Sequence, residues 1–371
     1  MLNVALLLGG PSEERAISLN SARSVADHFD EREVALREIV YFDRSERPYS
    51  ISRALLYSNN PGDFDFKLSQ TATALGAESF AERLRRCDIA FPVMHGRFGE
   101  DGRIQQILED VGVAYVGSSA QACRVAYDKY LAYAHLTEHG LATVPSWLFT
   151  REGAGVLERS TSAELAALVK EAGTVVFKPA AGGSSIDVVV ATSLEGARTC
   201  LAELLGRHER VVAQPWVGGT EFTAVVLEGP EGPVALPPVE IEMYHRSTAH
   251  DIFSFRRKYL PTNDTRYHCP PRFDPTIVDE MRATAEAAFR ALEMRDFARI
   301  DGWLDADGRI LLSDVNPISG MEQNSFLFIE ASEIGMTHHD ALRFVLDAAS
   351  RRCRLRAASK PVSSVAVDSG A

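Results

Sequence analysis

The sequence predicts an α/β protein that opens with a doubly wound parallel sheet and continues into further α/β units. Over the first hundred or so residues, short apolar runs alternate with stretches of helical periodicity, the pattern of a parallel sheet covered on both faces. The 371 residues amount to roughly 2.5 domains at about 150 residues each. Hydrophobic residues make up 46% and charged residues 24%, the balance of an ordinary globular chain and not of a disordered or collagen-like one.

The elements follow in order. Leu2–Leu8 is a short apolar run ending in Gly9-Gly10, the form of a buried parallel strand entering a turn. It is no signal peptide, because a basic n-region is missing and Glu13 and Glu14 follow directly. From about Ser18 to Phe29, Leu19, Ala22, Val25, Ala26 and Phe29 recur at helical spacing, and Glu33–Tyr41 reads as a second strand. Residues 44–76 read as an irregular surface excursion with a turn at Asn59-Asn60-Pro61-Gly62. A helix around Ser79–Arg86, a strand over Asp88–Met94, the loop HGRFGEDG and a helix over Arg103–Val111 complete the first unit.

Beyond Gly117 the texture changes. Ala120–Gly140 is strongly helical, a strand opens at Val144-Pro145, and 151–162 is a loop. Thr174–Lys178, Ile186–Ala191 and Arg210–Gln214 read as strands, with a helix over Leu194–Leu205 among them. Further strands are expected at Glu221–Leu227, Pro238–Met243, Ala298–Leu304 and Arg309–Val315, with a long helix from about Pro275 to Leu292 and a last one near His338–Ser350. These divide the chain into about 1–117, 118–213 and 214–350, leaving 351–371 as a disordered tail.

Charge and cysteine usage exclude several functions. Lys+Arg 39 against Asp+Glu 51 gives a net charge of -12, a poor match to sequence-independent nucleic-acid binding. No run approaches the roughly 18 apolar residues of a membrane span. Five cysteines stand far apart with no C-x-x-C pair, so neither a disulfide framework nor a zinc site is supported, and reduced thiols of a cytoplasmic protein are expected. Gly9-Gly10-Pro11-Ser12 does not supply the G-x-G-x-x-G turn of a dinucleotide-binding dehydrogenase.

Two constellations carry chemistry. Lys178 starts KPAAGGSS, a strand feeding a Gly/Ser loop whose successive N–H groups suit a phosphate and whose lysine adds a point charge. The lysine precedes the glycines, so this is no P-loop, and alone it reads more readily as a Gly-rich turn between strands. Arg299-Ile300-Asp301 and Asp314-Val315-Asn316 lie on strands joined by one hairpin, and alternation puts each outer pair on one face. Two carboxylates and an amide oxygen are hard ligands suited to Mg²⁺ that also holds phosphate oxygens.

Taken together, the motifs resemble the D-alanine–D-alanine ligases of the ATP-grasp superfamily. The resemblance runs in order through LLGGPSEERAISLNS, HGRFGEDG, YVGS, Tyr127-Asp128-Lys129, KPAAGGSS, QPWVGGTEFT, the RRKYL…YHCP loop, ARID and DVN…SGM…NS. Only 44–76 and the C-terminal tail fall outside it. It implies a three-domain ATP-grasp architecture that binds ATP between the second and third domains, with two Mg²⁺ (or Mn²⁺) ions on Asp301, Asp314 and Asn316. Lys129 and Lys178 match the lysines on the ATP phosphates, and Ser184 lies in the loop closing over them. Gln214, Pro215 and Val217 fall in the adenine hinge, and Glu221 matches the ribose carboxylate. Lys258 would reach the transferred phosphate, while Tyr259, Ser184 and Glu14 match a hydrogen-bonded triad.

The implied reaction joins two D-amino acids. The first carboxylate attacks the γ-phosphate, and the second substrate's amine then displaces phosphate from the acyl phosphate. Glu14 would bind the first ammonium, with His95 facing the same pocket. Arg299 and the Gly320 N–H would stabilise the oxyanion, and Ser325, with Phe326 beside it, would hold the acceptor. A homodimer, a cytoplasmic location and a role in peptidoglycan and cell-wall biogenesis are implied, with no nucleic-acid or membrane partner. Lys258-Tyr259 resembles dipeptide-forming members more than those that join D-alanine to D-lactate.

The chain also departs from its family. Gln214 stands where Glu is common, and 314–326 reads DVNPISGMEQNSF where the usual pattern is E-x-N-x-x-P-G-M-T-x-x-S. Asp314 shortens a ligand arm, Pro317 and Ser319 displace the family's proline, and Phe326 is bulkier than leucine. Glu322 replaces threonine near where the acceptor's carboxylate should bind. The expectation drawn from this is a specialised ligase whose acceptor is larger or amine-bearing.

Overall fold

A computed structural model describes residues 1–57, 61–151, 159–183, 185–244 and 264–359. Three sheets follow one another along the chain. The first takes β1 (Leu2–Gly9), β2 (Val34–Phe42), β3 (Pro48–Ser50), β4 (Thr73–Ala74) and β5 (Ile89–Pro92), in the order β4-β3-β2-β1-β5. β1 pairs in parallel with β2 and β5. Val4, Leu6 and Leu8 enter a core with α1 (Arg15–His28), whereas Ala5 and Leu7 enter another with α3 (Ala77–Arg85) and α4 (Arg103–Val111). Burial on both faces explains why the run is apolar without interruption.

The stretch 44–76 is not an irregular excursion. β3 and β4 extend the sheet in antiparallel fashion, with α2 (Pro61–Thr71) between them in the chain. Leu55, Leu56, Phe64 and Leu68 are buried in the core beside α1. Pro61 and Gly62 begin a helix where a turn was expected, since the first helical turn tolerates a missing N–H. Asn59 and Asn60 lie outside the described residues.

The second sheet holds β6 (Trp147–Thr150), β7 (Val175–Pro179), β8 (Val189–Ala191) and β9 (Arg210–Pro215), all antiparallel, in the order β6-β9-β7-β8. The helical stretch before it is two helices, α5 (Ala120–Tyr127) and α6 (Lys129–Glu138). Asp128 divides them by adopting an extended backbone and accepting from the Leu131 N–H at 3.1 Å, a capping bond that starts α6. α7 (Arg159–Ala172) and α8 (Leu194–Arg207) supply Leu165, Leu168, Leu201 and Leu204 to the core under Phe149, Val175 and Phe177. Of the loop expected over 151–162, residues 152–158 lie outside the described residues and Arg159 already begins α7.

The third sheet runs β13-β12-β10-β14-β15, with β11 also on β10. Its strands are β10 (Gly219–Gly229), β11 (Gly232–Ala235), β12 (Val239–Met243), β13 (Thr265–His268), β14 (Phe297–Asp305) and β15 (Ile310–Asn316), followed in sequence by α10 (Phe326–Glu333) and α11 (His338–Ser359). On one face, Ala224, Val226, Ala298 and Ile300 pack with Ala285, Ala288 and Phe289 of α9 (Pro275–Ala291). Ala122, Ala126 and Leu136 join that same core, so residues 120–138 pack with the third sheet although the sequence reading assigns them to 118–213.

α11 continues to Ser359, beyond its expected end at Ser350, so the first part of the anticipated tail is helix. The cause is a buried pair. Arg352 donates to the Asp296 carboxylate at 2.7 Å and to the Tyr115 carbonyl at 2.7 Å, and Asp296 accepts from the Gly117 N–H at 2.7 Å. Residues 360–371 lie outside the described residues.

Candidate active site

Strand pairing gathers the sequence-predicted residues on the other face of the third sheet. Asp301 stands opposite both Thr223 and Asp314, Arg299 opposite Asn316, and Glu221 opposite Trp303. Directly paired residues share a face, so these side chains project together while the intervening apolar residues fill the core behind. Arg299 holds Asp301 by two bonds, Nε to Oδ1 and Nη2 to Oδ2, both 2.9 Å. Thr223 adds a 2.6 Å bond to Oδ1 and Asn316 Nδ2 a 3.0 Å bond to Oδ2.

The second sheet faces this array across a cleft of about 970 Å³, part of it open to solvent. Lys129, Lys178, Gln214, Pro215 and Val217 line one side, and Glu221, Asp301 and Asp314 the other. Lys129 Nζ lies 3.5 Å from Asp314 Oδ1 and donates to the Gly182 carbonyl at 2.5 Å. Lys178 sits over the Tyr133 ring, and burial pulls its ammonium below the usual lysine range against the pull of Asp314 and Glu221. Gln214 directs its amide nitrogen to Ser146 Oγ at 2.8 Å, which leaves its oxygen as the acceptor for a ligand amino group.

The donor set suits a Mg²⁺ ion that shares ligands with a polyphosphate. Asp301 and Asp314 are adjacent carboxylates, and Asn316 spends its nitrogen on Asp301, keeping its amide oxygen for a cation. Among the described residues no group of three or more His, Cys, Asp or Glu could hold a metal, so a donor set here would combine the two carboxylates with an amide oxygen.

Beside the cleft lies a buried cluster of acidic and neutral polar side chains. The buried Glu14 carboxylate sits between two loops: a Cβ built on Gly96 would fall 2.5 Å from its Oε2, and one built on Gly183 2.9 Å. Any side chain at either glycine would expel the carboxylate. His95 is buried and contacts Ser21 Oγ at 3.1 Å, and burial, aided by Arg299, pulls its imidazole down to about 3. Glu100 accepts from the Gly96 N–H at 2.6 Å, and burial followed by the nearness of Glu14 pushes its carboxyl up to about 8. Ser325 precedes α10, and its Oγ is buried with no hydrogen-bond partner among the described residues. Such an orphaned hydroxyl suits a ligand's carboxylate. Phe326 packs edge-on against Tyr267 with the Arg299 guanidinium over its ring.

Three expected site residues, Ser184, Lys258 and Tyr259, lie outside the described residues. Trp303 and Trp216 in the cleft wall, Ser21 and Glu100 were not singled out from sequence. Trp303 was accessible to that reading, since it stands two residues beyond Asp301 on the same strand. Ser21 and Glu100 depend on long-range packing and local turn geometry that spacing does not reveal.

Two family models match the chain, "D-ala D-ala ligase N-terminus" over residues 3–118 and "D-ala D-ala ligase C-terminus" over 136–347. A D-alanine–D-alanine ligase of Cupriavidus metallidurans is 32% identical over 349 residues, covering 94% of this chain and 91% of that protein. One from Cupriavidus necator is 30% identical over 348 residues, with the same coverage of 94% and 91%. Among solved structures, the D-alanine–D-alanine ligase of Coxiella burnetii superposes with a TM-score of 0.78 at 20% identity, covering 96% of each chain. A D-Ala:D-Ser ligase of Enterococcus faecalis gives 0.77 at 22% identity over 94% of this chain and 99% of that one. The Bacillus anthracis D-alanine–D-alanine ligase complexed with ATP gives 0.71 at 20% identity, over 96% and 100%.

Proposed function

The chain belongs to the D-alanine–D-alanine ligase family and is a ligase that uses ATP, and from that premise we propose that it joins two D-amino acids through an acyl phosphate. The observation that carries this reading is the sheet face on which Arg299, Asp301 and Asp314 stand together, opposite Lys129 and Lys178 across one cleft.

In this reading adenine lies against Gln214, Pro215 and Val217, with the Gln214 oxygen accepting from its amino group. Glu221 takes the ribose hydroxyls, and Lys129, Lys178 and Lys258 take the phosphates. Asp301, Asp314 and Asn316 would hold Mg²⁺, whose chemistry is to neutralise charge on the phosphates. Glu14 fixes the first ammonium, and the first carboxylate attacks the γ-phosphorus as the bond to ADP breaks. Arg299 and the Gly320 N–H then stabilise the oxyanion formed when the acceptor's amine attacks the acyl carbon, and phosphate leaves with the electron pair of the broken bond. Ser325 orients the acceptor's carboxylate, and Tyr259 with Ser184 closes the site against water.

A homodimer and a cytoplasmic location belong to the same reading, and no helix among the described residues is long and apolar enough to cross a membrane. A phosphate-release assay over D- and L-amino acids, with product mass measured, tests the function. Phosphate released in step with a D,D-dipeptide supports it, and ATP hydrolysis without any new amide contradicts it.

A further inference from the structure

In the proposed reading Glu14 takes the first ammonium and Ser325 the acceptor's carboxylate, so a residue near the start of the chain must keep a fixed distance from one near its end. Helix α1 supplies the frame. Glu14 is its N-cap, and Ser21 and His28 follow at intervals of seven residues, which sets the three along one side of the helix. The stripe is legible in the sequence, but its partners are not.

The two later members of the stripe hold the segment that leads from β15 into α10. Ser21 Oγ accepts from the Met321 N–H at 3.2 Å. The His28 ring stacks on His338 at the start of α11, with centroids 4.4 Å apart and planes 20° apart, and the Phe328 ring lies 4.1 Å from the same imidazole. His338 Nε2 stands 3.0 Å from the Gln323 carbonyl, and because a carbonyl only accepts, the ring nitrogen donates. The Ser325 N–H bonds the Glu322 carbonyl at 2.9 Å, so the Gln323 carbonyl belongs to the same tight turn as Ser325.

Both histidines are braced. The Thr337 N–H and hydroxyl donate to Asp340 Oδ2 at 2.8 and 2.6 Å, and the Asp340 N–H returns a bond to Thr337 Oγ1 at 3.2 Å, which fixes the turn of α11 that carries His338. His28 donates from Nδ1 to the Ser24 carbonyl at 2.7 Å, and its own carbonyl accepts from His339 Nδ1 at 3.1 Å.

We propose that His338, backed by His28, is a positioning residue for the acceptor. Its N–H ties the turn 322–325 to α1, the helix whose N-cap holds the donor, and so sets Ser325 against the reacting carboxyl. This rests on the ligase reading and adds to it a residue that touches neither substrate.

Two substitutions separate the bond from the packing. His338→Phe keeps a ring against His28 and Phe328 but loses the donor, whereas His338→Gln loses the ring and keeps an N–H. With the full-length chain, ATP and Mg²⁺, KM for the best D-amino-acid acceptor should rise roughly three- to tenfold in His338→Phe, the worth of one net hydrogen bond, and by less in His338→Gln. Hydroxylamine in place of the acceptor has no carboxylate for Ser325 to hold. Its nitrogen bonds to the acyl carbon, phosphate leaves with the electron pair of the broken C–O bond, and a hydroxamate of the first amino acid remains. KM for the first amino acid in that assay should be the same in the variants as in the unsubstituted protein, a separation that a general loss of structure would not produce. An unchanged acceptor KM in His338→Phe, or a rise that the donor KM shares, would overturn the proposal. Neither hydroxamate nor dipeptide from the unsubstituted protein would instead sink the ligase reading, and this proposal with it.

Discussion

In the cleft between the second and third sheets, Lys129 stands 3.5 Å from Asp314, and Lys178 has Asp314 and Glu221 as electrostatic neighbours. In the buried cluster beside it, Glu14, Glu100 and Glu322 are near one another, and Glu100 and Glu322 are electrostatic neighbours of the Arg299 guanidinium that Asp301 holds. Among the described residues of the cleft the two lysines face three carboxylates, Glu221, Asp301 and Asp314. In the cluster burial raises the carboxyls of Glu100 and Glu322 and so favours their protonated forms, whereas the cleft keeps its lysines beside carboxylates. In the proposed reading one sheet face serves both the nucleotide and the amino acids, with Arg299 and Asp301 at the border.

The largest effect should come from breaking that border. Asp301→Asn removes a metal donor and releases Arg299, and kcat should fall by roughly 10²-fold or more at limiting Mg²⁺, with partial recovery as Mg²⁺ is raised. Steady-state rates across a Mg²⁺ series check this, and unchanged turnover at limiting Mg²⁺ would remove Asp301 from the metal set. On the cleft side alone, Lys178→Ala should lower kcat/KM for ATP by about 10²-fold while leaving binding of the first amino acid nearly unchanged. Equal losses for both ligands, measured by calorimetry, would mean that the two halves are not separable.

How much of this was legible in the sequence follows the same division. The cleft is built from contiguous motifs on strands, so alternation at 299, 301, 314 and 316 was enough to put those residues on one face. The pocket depends on a turn after β15 folding against α1. The direction of Glu322 is set by the Gly320 backbone and by Ser21, some three hundred residues earlier in the chain, which no local pattern encodes. Residues 44–76 were misread for a related reason. Their apolar residues are few and interrupted by Asp and Lys, yet Phe64 and Leu68 are buried by tertiary packing on α1. The break at Asp128 could have been found, because Asp is a favoured N-cap and Tyr127-Asp128-Lys129 was already singled out.

A smaller effect should appear in the pocket's pH response. Glu100 has its folded-state value raised to about 8, so between its unfolded value and that point the folded protein holds a proton that the unfolded chain has lost. Stability contributed by this group should therefore fall as pH rises from about 5 to 8. Glu100→Gln should flatten that fall in urea unfolding curves, and an unchanged slope would contradict the assignment. His95, pulled down to about 3 from an ordinary 6.5, stays neutral in the folded protein while the unfolded chain takes up a proton, so its contribution runs the opposite way, with stability falling as pH drops from about 7 towards 3.

The smallest effect is expected at Gln214. Because its nitrogen already bonds Ser146, Gln214→Glu keeps an oxygen toward adenine, and KM for ATP should shift by no more than about fivefold, the worth of one net hydrogen bond. A far larger shift would mean that the amide nitrogen also reads the base.

The proposed chemistry makes one oxygen of the first amino acid's carboxylate leave with phosphate. That amino acid, carrying a heavy-oxygen label in its carboxylate, can be turned over with ATP, Mg²⁺ and a D-amino-acid acceptor, and the released phosphate weighed by mass spectrometry. An acyl phosphate predicts one labelled oxygen in the phosphate for every dipeptide formed. Dipeptide accompanied by unlabelled phosphate would contradict it.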